Sequence, residues 1–277
     1  MSHLHHGAMG SFGSPVLLTV IFFIALVYLR GWLHLRSNSV IPIALWRAFS
    51  FFLGLFLIWV AMASPVAALD TQLLTVHMVQ HLLLMTLAAP LIWLGAPVMP
   101  LLSGLPQRFV RAVVAPTFRR PLPQLLGRAL AQPAFCWLAA TAALVIWHVP
   151  PVFMLGLKSG AWHMVEHASF LVTGLLFWWP VIQPWPSVSR WPELSIILYL
   201  FLATLPCDIL SGFLVFCDRV VYSVYFSASQ PFGLSALADQ QCAGALMWTC
   251  VTVVYLVTGA ILTTRLLSPR VESLNGH

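Results

Sequence analysis

The strongest constraint in this sequence is a run of apolar residues long enough to cross a bilayer, repeated along most of the chain. Residues 71–97, TQLLTVHMVQHLLLMTLAAPLIWLGAP, form one such run. A membrane-crossing helix needs about 20 predominantly apolar residues. Seven segments meet that need: 15–33, 43–63, 71–94, 133–155, 162–180, 192–216 and 240–262. Only 7% of the 277 residues are charged, where a soluble domain carries about a quarter. The expected fold is an all-α polytopic membrane protein with seven transmembrane helices. One domain would cover 15–265, after a flexible His-containing segment 1–14 and before a short tail 266–277.

Charge then orients the chain. Arg30, Arg36, Arg47, Arg108, Arg111, Arg119, Arg120, Arg128, Arg190, Arg265 and Arg270 fall on one side of the seven-span arrangement, and only Lys158 and Arg219 on the other. Cytoplasmic loops collect Lys and Arg, so the N-terminus is expected outside and the C-terminus in the cytoplasm. The basic cytoplasmic loop 95–132 is Pro- and Arg-rich, with room for a short amphipathic helix at the interface. The net charge of +6 sits in loops, with no basic patch interleaved with aromatics, so nucleic acid is not an expected partner. Most of the twelve tryptophans fall near span ends, as in an interfacial belt. The five cysteines form no C-x-x-C and predict no disulfide framework. The first apolar run lacks a preceding Lys or Arg and a cleavage site, so it is expected to stay as a span.

Histidines interrupt this pattern. His77 and His81 lie four residues apart in the third run, on one helical face. Polar residues inside a span are costly and mark functional sites. The pentad His77-Met78-Val79-Gln80-His81 returns as His163-Met164-Val165-Glu166-His167 in the fifth run, and His148 ends a Trp147-His148 pair in the fourth. Lys and Arg alone set the orientation, yet it places all five histidines in the outer half. Ile58-Trp59 and Ile146-Trp147 precede the two pentads, a faint parallel repeat, with Asp239-Gln240-Gln241 as a degenerate third copy. His3, His5 and His6 read as a loose metal pick-up patch or a disordered end.

Imidazoles one turn apart, about 6 Å along the axis, can face one interhelical cavity. They suit Cu(II) and Zn(II), and thioethers such as Met78 add affinity for Cu(I). The candidate metal ligands are His77, His81, His163 and His167, with His148, Glu166 and Met78 as helpers. Glu166 could ligate directly or hold an imidazole tautomer. Bis-histidine haem is the competing reading, since His77 or His81 could face His163 or His167; its ligands would all crowd the outer end. A metal transporter would need polar residues through the inner half, which spans three, four and five lack. His163-x-x-Glu166-His167 matches the inverted zincin order, but Gln80 in the sibling pentad argues against a general base. No enzyme is expected. Asp208 and Asp239 read as structural, the latter at a helix N-terminus.

The chain resembles a known family at His77-Met78-Val79-Gln80-His81 leading to Ala89-Pro90-Leu91 and Leu94-Gly95-Ala96-Pro97. Trp147-His148, Glu166-His167, Phe177-Trp178-Trp179-Pro180, Asp239-Gln240-Gln241, Gly244 and Met247-Trp248 extend the likeness. It is similar to the seven-helix cytochrome c oxidase assembly factors of the CtaG type, associated with caa-type haem-copper oxidases. The resemblance implies a chaperone-like role in maturing the oxidase, in copper handling or insertion. It implies haem-copper oxidase subunits as partners, with a periplasmic or extracytoplasmic copper carrier as donor. The setting it implies is the bacterial cytoplasmic membrane.

Overall fold

The structure, a computed structural model, describes residues 15–38, 43–120, 127, 130, 132–184, 191–226 and 231–267. His3, His5 and His6, most of 121–131 including Arg128, Arg190, and the tail from 268 lie outside the described residues. Among the described residues the fold is all-α. Six helices are long and apolar enough to cross a membrane, or seven if one sharply bent pair counts as a single span.

Helix α1 covers Pro15–Asn38 and α2 covers Leu45–Ala63. The buried face of α2 includes Ala48, Phe51, Leu55 and Ile58, the spacing of one helical stripe. Phe51 stacks on Tyr28 of α1 with ring centroids 3.8 Å apart, and the Tyr28 hydroxyl donates to Gly95 O at 2.9 Å. In the basic loop the chain forms α4 (Val98–Gly104) and then a helical stretch at 107–119, α5. Helix α4 lies directly on α1: a Cβ on Gly31 would strike Pro100 O, and one on Gly104 would strike Val27 O. Small residues permit this backbone contact.

Helix α3, Leu74–Leu94, is the most buried span and joins two cores. On one side it packs with α1 and α2 through Leu84 and Ala88; on the other, Leu74, Met78 and Leu82 join a core shared with the later helices. Its start is fixed from far along the chain. The Asp239 carboxylate accepts Leu74 N–H at 2.6 Å and Thr75 N–H at 3.1 Å. A carboxylate there satisfies orphan amides and favours the helix dipole. Midway, α3 widens into a π turn at Leu83–Ala88. There Ala89 N–H bonds Leu84 O, and the next residue, Pro90, has no N–H to offer Met85 O. Trp178 of the facing helix donates its indole N–H to Met85 O at 3.0 Å.

The fourth apolar run corrects the sequence expectation. Instead of one helix over 133–155, it forms α6 (Pro133–His148) and α7 (Pro150–Lys158), bent by 78°. Val149 is extended, as a residue before proline prefers, and neither Pro150 nor Pro151 can donate to α6. The break leaves His148 as the last residue of α6 and sends α7 across the bundle end. Helix α8 (Gly160–Ile182) packs along α6 and α3, α9 (Glu193–Phe216) pairs with α10 (Ala236–Leu267), and α10 also packs on α3.

Candidate metal centre

The first turns of α3 and α8, the end of α6 and the bent α7 meet at one end of the bundle. Arg47 and Arg265 lie at the other end of α3, beside Leu94. The two pentads face each other. His77 Nε2 is 3.3 Å and His81 Nε2 is 3.4 Å from the same oxygen, Glu166 Oε1. His163 Nε2 lies 3.5 Å from Asp70 Oδ2. The His77 and His163 rings stack at 5.6 Å, and each pentad's own rings touch edge to face at 4.4 and 4.3 Å. His77 and Glu166 have no exposed surface.

The ring tautomers follow from what each nitrogen meets. His167 Nδ1 lies 2.9 Å from His163 O, and His148 Nδ1 lies 2.7 Å from Leu144 O. A carbonyl can only accept, so both Nδ1 atoms carry the proton and both neutral rings present an Nε2 lone pair. His148 Nε2 faces Met78 Sδ at 3.4 Å, and His167 Nε2 faces Gln80 Oε1 at 3.3 Å. Gln80 is oriented by its amide N–H groups, which donate to Ala67 O at 3.2 Å and Asp70 Oδ2 at 3.4 Å. Lone pair therefore meets lone pair at Gln80–His167, which a shared cation or a second ring proton would reconcile. Three further site atoms are buried with neither a hydrogen bond nor an ion pair, His81 Nδ1, His77 Nδ1 and Glu166 Oε2, while His81 Nε2 and His163 Nε2 meet only their carboxylates at 3.4 and 3.5 Å, without hydrogen-bond geometry. Stranded polar atoms of this kind are costly.

Two donor sets are close enough to hold an ion, Asp70-His77-His163 and His77-His81-Glu166, each with ligand atoms within 4.8 Å of one another. Bonds of about 2 Å to a metal require ligand atoms no more than ~4 Å apart. The contacts at 3.3, 3.4 and 3.5 Å already lie in that range. Nitrogen with oxygen suits a borderline divalent ion.

All seven candidates named from sequence converge on this end of the bundle, in two layers. His77, His81, His163, Glu166 and His167 form the upper layer. Met78 points the other way, to His148, so it cannot share an ion held by His77 and Glu166 without moving. Asp70 and Gln80 were not among the sequence candidates. Asp70 is one of seven acidic residues and lies just ahead of the first pentad; that scarcity is the signal for it. The proposed third repeat copy takes no part. Asp239 caps α3, and Gln240 accepts Val221 N–H at 2.7 Å and donates to Leu214 O and Arg219 O.

An aromatic shell closes the centre. Phe153 of α7 meets the His77 ring at 4.9 Å, and Phe170 stacks on His81 at 4.1 Å. Tyr222 donates to His148 O at 3.0 Å and Tyr225 to Asp70 O at 2.8 Å. Burial pushes both phenols up, so each remains a donor. Gly156 leaves room for the carboxylate: a Cβ there would stand 2.7 Å from Glu166 Oε2.

A family model described as cytochrome c oxidase caa3 assembly factor (Caa3_CtaG) matches residues 26–268. The chain belongs to this family. It is a multi-pass membrane protein that serves cytochrome c oxidase assembly as a chaperone and not as an enzyme. The CtaG-type resemblance read from the pentads and the Trp-His and Asp-Gln-Gln motifs agrees with that membership. No curated protein and no solved structure matches the chain.

Proposed function

We propose that this assembly factor holds copper near the outer face of the bacterial cytoplasmic membrane and passes it to a haem-copper oxidase subunit. One observation carries the reading. Two imidazoles of one pentad converge on one carboxylate oxygen of the other, at 3.3 and 3.4 Å, among buried ring nitrogens without hydrogen-bond partners. His77, His81, His163 and His167 supply nitrogen, Glu166 and Asp70 supply oxygen, and His148 with Met78 assists from below. In this arrangement one seven-helix domain spans 15–265, the N-terminus is outside, and the basic loop 95–132 and tail 266–277 are cytoplasmic. The eleven-to-two division of basic residues supports that orientation. An ion held at the outer end can reach an oxidase site by ligand exchange, from an extracytoplasmic carrier, without crossing the bilayer.

Haem is less well supported. The histidine rings pack against one another and against Phe153 and Phe170, and the space bordered by both His81 and His148 is only about 50 Å³, too small for a porphyrin between them. The test is metal and haem analysis of the purified full-length protein after anaerobic copper loading, with His77→Ala and His163→Ala alongside. Copper in the wild type and a lower copper content per chain in both variants is expected. A Soret band, or no copper after loading, would overturn the reading. A reporter fused to the C-terminus, active only on the cytoplasmic side, checks the orientation.

A further inference from the structure

The cavity beneath the histidine cluster differs chemically from the cluster itself. It is lined by four sulfur-bearing residues from three helices: Met78 and Met85 of α3, Cys207 of α9 and Met247 of α10. His81 and His148 close it from above. Met78, Met247 and Cys207 are buried, and the remaining wall is mainly aliphatic and aromatic. Methionine is a flexible side chain that usually fills irregular gaps, yet here three of them border a space of about 50 Å³. One probe sphere of about 10–15 Å³ is enough for a water-sized occupant, so a single ion fits. His81 is buried and lines this space; its Nδ1 has no hydrogen-bond partner, and its Nε2 meets only Glu166 Oε1 at 3.4 Å. The His148 Nε2 lone pair also faces a sulfur here, Met78 Sδ at 3.4 Å.

We propose that this cavity is a second, soft cation site that takes Cu(I) through thioether and thiol sulfur, with imidazole from His81 or His148. The proposal rests on the copper reading above and adds to it an oxidation state and a second position. Thioether and thiolate select Cu(I), whereas the upper nitrogen and oxygen layer suits a borderline divalent ion. An apolar wall with few oxygen donors also excludes hard, strongly hydrated cations. Cys207 Sγ, 3.7 Å from Ser211 Oγ, enters as thiolate, its proton passing to whichever of the two imidazoles bordering the cavity, His81 or His148, does not hold the ion. His81 borders both layers, since its Nε2 is also 3.4 Å from Glu166 Oε1, and can serve an ion in either. No change of oxidation state is required for Cu(I) to occupy the lower layer.

The test uses full-length protein in detergent, reduced and anaerobic, titrated separately with Cu(I) and with Zn(II). Copper-edge X-ray absorption reports the ligand atoms, and competition with a chromogenic Cu(I) chelator reports affinity. Wild type is expected to show sulfur in the Cu(I) shell. Cys207→Ser with Met247→Leu should lose much of that sulfur scattering, with only the Met78 and Met85 thioethers left, and bind Cu(I) at least tenfold more weakly, with Zn(II) stoichiometry intact as the control for folding. His77→Ala should do the reverse, losing Zn(II) while keeping the copper–sulfur signal. Copper bound through nitrogen and oxygen alone, or sulfur scattering unchanged by the double variant, overturns the soft site and leaves the copper reading standing. Absence of copper from every preparation overturns both.

Discussion

The two pentads share four of five residues and both open a membrane helix, yet the bundle uses them differently. Met78 is 1% exposed and touches His148, while its counterpart Met164 is 46% exposed and faces outward. Gln80 is held by a backbone carbonyl and by Asp70, whereas Glu166 reaches across to both histidines of the other pentad. The difference comes from position. Helix α3 is wedged between two cores, so nearly every side of its pentad is covered; α8 packs on one side only. A repeat in sequence therefore supplies matching imidazoles, and the surrounding packing decides which pentad supplies the charge.

Making the pentads equal should break the centre most strongly. Glu166→Gln removes the carboxylate that His77 and His81 share. A loss of about 100-fold in metal affinity is expected, read by competition titration of the purified protein. Adding Gln80→Glu restores the charge count but should not rescue binding, because the new carboxylate would face Ala67 O and the Asp70 carboxylate. Full rescue by the swap would show that the pentads are interchangeable.

The spans were legible because apolar length is a local property. Boundaries shifted by a few residues, as at α10, which runs from 236 to 267 instead of 240 to 262. The bend at Val149 is not legible in the sequence, despite Pro150 and Pro151, because an apolar run gives the same signal whether straight or broken. That bend is what brings α7 over the centre and sets Gly156 against Glu166. The histidines were legible from their cost in a membrane helix. Asp70 and Gln80 were not, since their roles depend on partners in other elements. Asp239 shows the limit best. It sits in the first turn of its own helix, as read, but its carboxylate also caps α3, a hydrogen bond 165 residues away in sequence.

Gly156 offers a gentler way to disturb the acidic side of the comparison. Gly156→Ala places a methyl group against Glu166 Oε2 in a fully buried setting. The carboxylate must shift, and affinity should fall by roughly tenfold without loss of the folded protein. An unchanged affinity would mean that Glu166 does not need its present position. Capping tests the other side. Asp239→Asn keeps the shape but weakens the charge-assisted bonds to Leu74 and Thr75 N–H. A cost of about 1–2 kcal/mol is expected, read as a lowered unfolding midpoint in detergent. Ser159→Ala ahead of α8 should cost almost nothing, because Ser159 makes no side-chain cap there.

The smallest effect discriminates most finely between the pentads. Met78→Leu and Met164→Leu are the same change at equivalent positions, and volume-conserving swaps of this kind cost less than about 1.5 kcal/mol of stability. Met78 Sδ faces the His148 lone pair and lines the interior cavity; Met164 belongs to neither. Met78→Leu should therefore weaken Cu(I) binding by a few-fold, with little change in Zn(II) binding at the upper layer. Met164→Leu should leave both within about twofold. Thioether is a weak donor, and imidazole from His81 and His148 remains in either variant, so a larger loss is not expected. Equal responses from the two variants would mean that burial of the sulfur, and not its identity, separates the pentads.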